Sequence, residues 1–283
     1  MKTTIGIVGA GTMGGGIAQA AAHSGFEVIL HDVSGEALKA CMERIREDLR
    51  ASMERGKRSA AEATGVLARI RPRRSLNDIG AAGIVIEAAA EDLAVKKEIF
   101  RALGGIAAPG AVLATNTSSL SITSIGSFTK TPESVVGMHF FNPPVRMPLV
   151  EIVRGSRTSD DTVRQVEETA LAMGKTPVFS SDTPGFIVNR IARPFYGEAL
   201  RILGEGTATP EQIDRIVRLS GGFRMGPFEL MDLIGIDVNY AVTQSVYEQF
   251  FHEPRFRPHP IQRRMVEAGT LGRKTGRGFY TYE

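Results

Sequence analysis

A glycine hexapeptide set between an apolar strand and an Ala-rich helix constrains this chain more than any other feature. Thr4 to Val8 is short, apolar and β-branched, Gly9-Ala10-Gly11-Thr12-Met13-Gly14 follows at once, and Ile17 to Ser24 reads as a helix. Glycine clusters also serve ordinary turns, so the hexapeptide alone is weak. Its flanks, and Asp32 at the end of a second strand from Glu27 to Leu30, give it meaning.

In that setting Gly9 permits the tight turn, Gly11 lets a diphosphate approach the backbone, and Gly14 lets the helix approach the sheet. The helix N-terminus adds unpaired amides and a favourable dipole. Asp32 can accept hydrogen bonds from both hydroxyls of an adenosine ribose, and Val33 follows it where an arginine would suit a ribose phosphate. The expected cofactor is therefore NAD rather than NADP. The plainer alternative for Asp32 is a turn or helix-cap acid.

Further along, Leu38, Cys41, Met42, Ile45 and Leu49 recur at helical spacing, and the next plausible strand waits until Gly83 to Glu87. So long a crossover predicts an extra helical hairpin, carrying the basic residues Arg50, Arg55, Lys57, Arg58, Arg69, Arg71, Arg73 and Arg74. Strands are predicted at Val112 to Thr115, Val135 to Phe140, Val150 to Val153 and Thr176 to Phe179, with helices at Leu93 to Leu103 and Thr162 to Met173. The alternation indicates an α/β fold, a Rossmann-like doubly wound sheet with a helical hairpin insertion, its last strands open to an antiparallel or less regular course.

Beyond Ser180-Ser181-Asp182-Thr183-Pro184-Gly185 the β-branched runs disappear. Phe186 to Leu203, Pro210 to Leu219, Pro227 to Phe250 and His259 to Ala268 all read as helices, two of them opening on prolines that suit a first helical turn. The expected division is residues 1–183 as the nucleotide-binding domain and 184–283 as an all-helical C-terminal domain.

Of the 283 residues 42% are hydrophobic, enough for one large core or two modest ones, which excludes a disordered or disulfide-stapled protein. A net charge of only +3 implies neither nucleic acid nor membrane surface as a general partner. The single cysteine, Cys41, offers no internal disulfide and no thiolate cluster for a metal. The N-terminus lacks the layout of a secretory signal and no apolar run approaches the roughly 20 residues of a membrane span, so the expected location is cytoplasmic.

Candidate chemistry gathers at the ends of predicted strands. Glu87 to Asp92 follows one of them; Glu91 and Lys96 read equally as cofactor contacts or as the solvated start of a helix, with Lys96 a surface charge paired near Asp92. Asn116-Thr117-Ser118-Ser119 follows another, where Ser118 could face a ligand or cap a helix. His139 ends the apolar run from Ser134, just before Phe140-Phe141-Asn142-Pro143-Pro144, and a residue titrating near pH 6.5 suits reversible proton transfer. Glu151 opens the next strand and can return to the other imidazole nitrogen, fixing tautomer and orientation. The competing account is a buried salt bridge without catalytic use. No set of three ligands accompanies His139, so no metal is expected.

IGIVGAGTMGGGIAQ, NTSSLSIT, GMHFFNPPVRMPLVEIV, DTPGFIVNR, MGPFELMDLIGIDV and KTGRGFY occur in that order over essentially the whole chain, which on these motifs resembles the short-chain L-3-hydroxyacyl-CoA dehydrogenases. The resemblance implies that His139 removes the hydroxyl proton while hydride leaves C3 for NAD, and that Glu151 supports it. It implies Ser118 and Asn189 as substrate contacts. Gly9, Gly11, Thr12, Met13, Gly14, Asp32, Glu91, Lys96, Asn116, Ser118, Asn142 and Lys274 are implied at the cofactor, and Arg55 or Lys57 at the phosphates of an acyl-CoA substrate. It also implies a homodimer formed through the C-terminal domain, with Asn189 brought to the site by domain closure. Arg224 stands where relatives often carry proline, which puts the rigidity of that loop in doubt. The expected substrate is 3-hydroxybutyryl-CoA; a longer or 3-hydroxyadipyl chain, or a silent NAD-binding protein, are the alternatives.

Overall fold

The computed structural model describes residues 4–282. It divides into two compact units, one ending at Thr183 and the other beginning at Pro184.

Among the described residues of the first unit, eight strands form one sheet in the order β3-β2-β1-β4-β5-β6-β7-β8. Strands β1 (Ile5–Val8), β2 (Val28–His31), β4 (Ile84–Glu87) and β5 (Val112–Thr115) are buried at every residue, as a parallel sheet covered on both faces requires. β1 pairs with both β2 and β4, so the chain reverses its winding beside β1. β6 (Val135–Phe140) continues the parallel sheet, whereas β7 (Leu149–Arg154) runs antiparallel to it, and β8 (Thr176–Ser181) is parallel to β7.

Helix α1 (Thr12–His23) buries Ile17, Ala18, Ala20, Ala21 and Ala22, and small side chains let it lie close to the sheet. The long crossover contains the predicted hairpin, α2 (Gly35–Glu54) and α3 (Ala60–Arg69). Leu38, Cys41, Met42, Ile45 and Leu49 are the buried face of α2, each large apolar side chain contributing about 1.5–3 kcal/mol of burial. Ser34 caps α2 by accepting from the Ala37 amide, and Ser59 with Glu62 makes a reciprocal capping box on α3.

The basic stretch after α3 contains a strand that the sequence reading left out. Ile70–Arg73 is β3, an edge strand in which only Ile70 is buried. Its sequence, Ile-Arg-Pro-Arg, has little apolar signal because one side of it meets no partner, and a proline is tolerated there. The opposite edge, β8, also carries a proline, Pro177. Helices α4 (Leu93–Ile106), α5 (Ile122–Gly126) and α6 (Asp160–Ala172) complete the unit.

The second unit is helical, built from α7 (Val188–Gly204), α8 (Pro210–Gly221), α9 (Pro227–Ile234), α10 (Ile236–Gln249) and α11 (Pro260–Glu267). Tyr196, Leu200, Ile213, Phe228, Met231 and Ile236 pack in its core. The expected single helix from Pro227 to Phe250 is broken: Gly235, at φ 101°, separates α9 from α10. The apolar run around it divides accordingly, with Met231 and Ile236 fully buried and Leu233, Ile234 and Val238 exposed. Two buried carboxylates tie down the end of the chain. Asp214 accepts from the first amides of α9 at Phe228 and Glu229 and from the Tyr280 hydroxyl, while Asp232 accepts from the amides of Phe279 and Tyr280.

Candidate active site

The glycine turn is shaped by what a side chain would strike. Gly9 lies at φ 108°, and a Cβ there would come within 2.6 Å of the Ala88 carbonyl oxygen; a Cβ on Gly14 would lie 1.8 Å from the Gly9 carbonyl oxygen. At Gly11 a Cβ would meet nothing within 4 Å. No protein neighbour therefore demands glycine at position 11, and the open space beside the first turn of α1 fits a diphosphate approaching the backbone. Asp32 stands over the same turn. Its Oδ2 accepts from the Ala10 amide at 2.8 Å and its Oδ1 from the Ser34 amide at 2.9 Å, which fixes the carboxylate beside the glycine turn. Thr12 and Met13 open α1 itself. Cys41 is buried against Gly15, where loss of solvation pushes its thiol pKa up, so it packs as an inert apolar group.

At the ends of β4 and β5 the chain assembles a charged group that spacing did not reveal. Lys96 is 1% exposed, so the surface-charge alternative is corrected: its Nζ donates to Glu87 Oε1 and Oε2 at 2.7 and 2.9 Å and lies 3.4 Å from Glu91 Oε2. Asp92 is instead the N-cap of α4, accepting from the Ala94 and Val95 amides. Glu91 Oε1 gathers the Thr117 hydroxyl at 2.7 Å, the Ser118 amide at 2.7 Å and the Ser118 hydroxyl at 3.0 Å. Burial pushes the Glu91 pKa up, but Lys96 and these donors outweigh it and hold the carboxyl below its usual range. Asn116 Oδ1 accepts from the Phe140 amide at 2.8 Å, which locks the end of β5 to β6.

His139 and Glu151 face each other across the antiparallel pair β6–β7, in register. His139 Nδ1 and Glu151 Oε2 are 2.7 Å apart, with the two residues 6% and 0% exposed. The geometry directs Nδ1–H to the carboxylate, which fixes the tautomer and orientation of the ring. The Phe141 ring leans on the imidazole, centroids 4.5 Å apart. The loop that follows, with Asn142 and a cis Asn142-Pro143 bond, is held by Lys175, whose Nζ donates to the carbonyls of Pro144 at 2.5 Å and Met147 at 2.9 Å. Sequence reasoning missed Lys175 because its partners are backbone carbonyls 31 and 28 residues earlier, and it gave Glu87 no partner because Lys96 and Thr115 meet it only in the folded sheet.

The remaining implied residues have surroundings of their own. Arg55 and Lys57 are exposed at the turn of the α2–α3 hairpin. In the helical unit, Asn189 lies in the first turn of α7, where Arg193 Nε donates to its carbonyl oxygen at 3.2 Å. Lys274 in that unit pairs with Asp237 at 2.5 and 2.7 Å.

Residues 4–183 match the NAD binding domain of 3-hydroxyacyl-CoA dehydrogenase, and residues 185–282 match the C-terminal domain of the same family. A 3-hydroxyadipyl-CoA dehydrogenase of Escherichia coli is 48% identical over 279 residues, which is 99% of this chain and 59% of that protein. The chain thus spans about three fifths of that relative. A probable 3-hydroxybutyryl-CoA dehydrogenase of Deinococcus radiodurans is 45% identical, covering 98% of this chain and 99% of its own. The crystal structure of (S)-3-hydroxybutyryl-CoA dehydrogenase from Ralstonia eutropha superimposes with a TM-score of 0.94 at 43% identity, each chain covered completely. Two matched domains in this order, over a mostly parallel sheet whose glycine turn is open at Gly11, make this chain a member of the 3-hydroxyacyl-CoA dehydrogenase family.

Proposed function

We propose that the chain catalyses the reversible NAD-dependent oxidation of a short L-3-hydroxyacyl-CoA to the 3-oxoacyl-CoA, with 3-hydroxybutyryl-CoA as its substrate. The observation that carries this reading is the buried His139–Glu151 pair, 2.7 Å apart, at the strand end of an NAD-binding domain. NAD, when bound, supplies the acceptor for the hydride from C3. His139 Nε2 takes the hydroxyl proton as that hydride departs and returns it in the reverse direction. Glu151 favours the imidazolium formed in between and keeps the ring in one orientation. Ser118 and Asn189 are assigned to the substrate as hydrogen-bond partners, and Asp32, Glu91, Lys96, Asn116, Asn142 and Lys274 to the cofactor. Arg55 and Lys57 are assigned to the phosphates of CoA, which their exposure and charge suit.

Oxidation of NADH with acetoacetyl-CoA tests the reading. His139→Ala is expected to lower kcat by about 10²–10⁴-fold while NADH binding is retained. Cofactor binding without turnover in the unaltered protein would overturn it. A 3-hydroxyadipyl substrate is the second reading, favoured by the 48% identity to the Escherichia coli enzyme named for it. Specificity constants over chain length, with and without a terminal carboxylate, separate the two.

The active form is proposed to be a homodimer joined through the helical unit. Ile216 and Leu219, three residues apart on α8, are 63% and 72% exposed, and Ile191 and Phe223 are also exposed, an apolar surface that association would cover. A cytoplasmic location is proposed with it, and fractionation tests it.

A further inference from the structure

Glu87 is a buried carboxylate that neither the proton transfer nor the family's cofactor contacts employ. It is 0% exposed at the end of β4 and accepts four hydrogen bonds: two from Lys96, one from the Thr115 hydroxyl at 2.7 Å and one from the Ala89 amide at 2.8 Å. A carboxyl that only accepts is ionised, since the protonated form must donate. Lys96 therefore serves two carboxylates, Glu87 and Glu91, and the group Glu87–Lys96–Glu91 carries one negative charge in excess. Thr115, Thr117 and Ser118 add neutral donors and leave that balance unchanged. Glu87 and Lys96 are buried while the Glu91 side chain is 38% exposed, so the excess charge is presented to whatever occupies the strand ends rather than shut inside the core.

The fold indicates which ligand charge does so. Asp32, at the end of β2, marks the ribose of the adenosine half, and a dinucleotide in such a sheet crosses the point beside β1 where the winding reverses. Its other half then lies on the side of β4 and β5, where the charged group stands. That half ends in a nicotinamide ring, positive when oxidised and neutral when reduced. We propose that Glu87 supplies the excess negative charge that makes this site favour oxidised over reduced nicotinamide. The inference rests on the assignment of NAD as cofactor. It differs from a structural role, in which Glu87 merely joins β4 to β5 and its loss weakens every ligand alike.

Binding to the full-length protein separates these. The chain has no Trp, so calorimetry measures NAD⁺, NADH and ADP-ribose, the last lacking the nicotinamide altogether. In Glu87→Gln the group becomes neutral, and NAD⁺ is expected to bind about tenfold more weakly, with NADH and ADP-ribose within about twofold of the unaltered protein. The double variant Glu87→Gln with Lys96→Met leaves Glu91 alone and restores one negative charge, so the ratio of NAD⁺ to NADH affinity should return toward its original value. Equal weakening of all three ligands, an unchanged ratio in the single variant, or a further fall of the ratio in the double variant would overturn the proposal. Should Glu87→Gln not fold, the double variant decides alone, because a ratio far below the original then sinks the charge account. Absence of NADH and ADP-ribose binding to the unaltered protein would instead sink the cofactor assignment.

Discussion

At the residue scale the His139–Glu151 pair was the most legible part of the site. An apolar strand, a proline-bounded loop and a second apolar strand bring residues of one antiparallel pair into register, and local connectivity sufficed to see it. Glu87 and Lys96 were not legible. Their pairing depends on a strand end and a helix turn that meet only in the folded sheet, and a lysine in an acidic stretch reads as solvated. The pair of β6 and β7 yields a prediction. Glu151→Gln keeps a hydrogen bond to Nδ1 but removes the charge that favours the imidazolium, so kcat for acetoacetyl-CoA reduction is expected to fall by about 10²-fold, with KM moved much less. Steady-state kinetics checks this, and an unchanged kcat would show Glu151 to be only a packing partner.

Single elements carry two further expectations. Gly14 and Gly11 are three residues apart at the start of α1 but differ in what surrounds them. Gly14→Ala must push α1 off the turn, so it should cost more than about 2 kcal/mol in urea unfolding and abolish NAD binding together. Gly11→Ala meets no protein atom, and should leave the unfolding of the free protein within about 0.5 kcal/mol while still blocking NAD. Equal losses of stability in the two would refute this account of the turn.

The second concerns His23, in the last turn of α1. A helix C-terminus favours a cation, yet burial first, and then the Arg58 guanidinium 3.2 Å from Nδ1, push its pKa down to about 4. Its folded pKa lies below the unfolded value, so the unfolded chain binds the extra proton first. Above about pH 7 His23 then has no effect on stability, which is lost as pH falls from about 6.5 toward 4. With solvent screening the loss between pH 7 and 5 is about 1 kcal/mol, and His23→Gln should remove that share of it. Parallel unfolding profiles of the two proteins over that range would show the prediction wrong. Elements were also where the reading of the sequence erred. β3 has only Ile70 to bury, which leaves no periodic signal, and Gly235 breaks an apolar run whose composition suits a continuous helix.

For the whole molecule, strand and helix alternation followed by an all-helical stretch gave the architecture without difficulty, because a covered parallel sheet needs uninterrupted apolar strands and the C-terminal unit lacks them. No residue for a dimer contact was legible in the sequence, and it is their exposure that marks Ile216 and Leu219. If the helical unit joins two copies, sedimentation should give twice the mass of one chain, and Ile216→Glu with Leu219→Glu should yield monomers that keep NAD binding. A double variant that stays dimeric would place the contact elsewhere.

The two prolines at the margins of the sheet bear on the same question. Pro72 in β3 and Pro177 in β8 each remove a backbone donor from an outermost strand, and β3 adds the outward charges of Arg71 and Arg73. Strand addition from another molecule is thereby discouraged at both ends. The sheet is thus guarded at both margins against runaway fibre growth at high concentration.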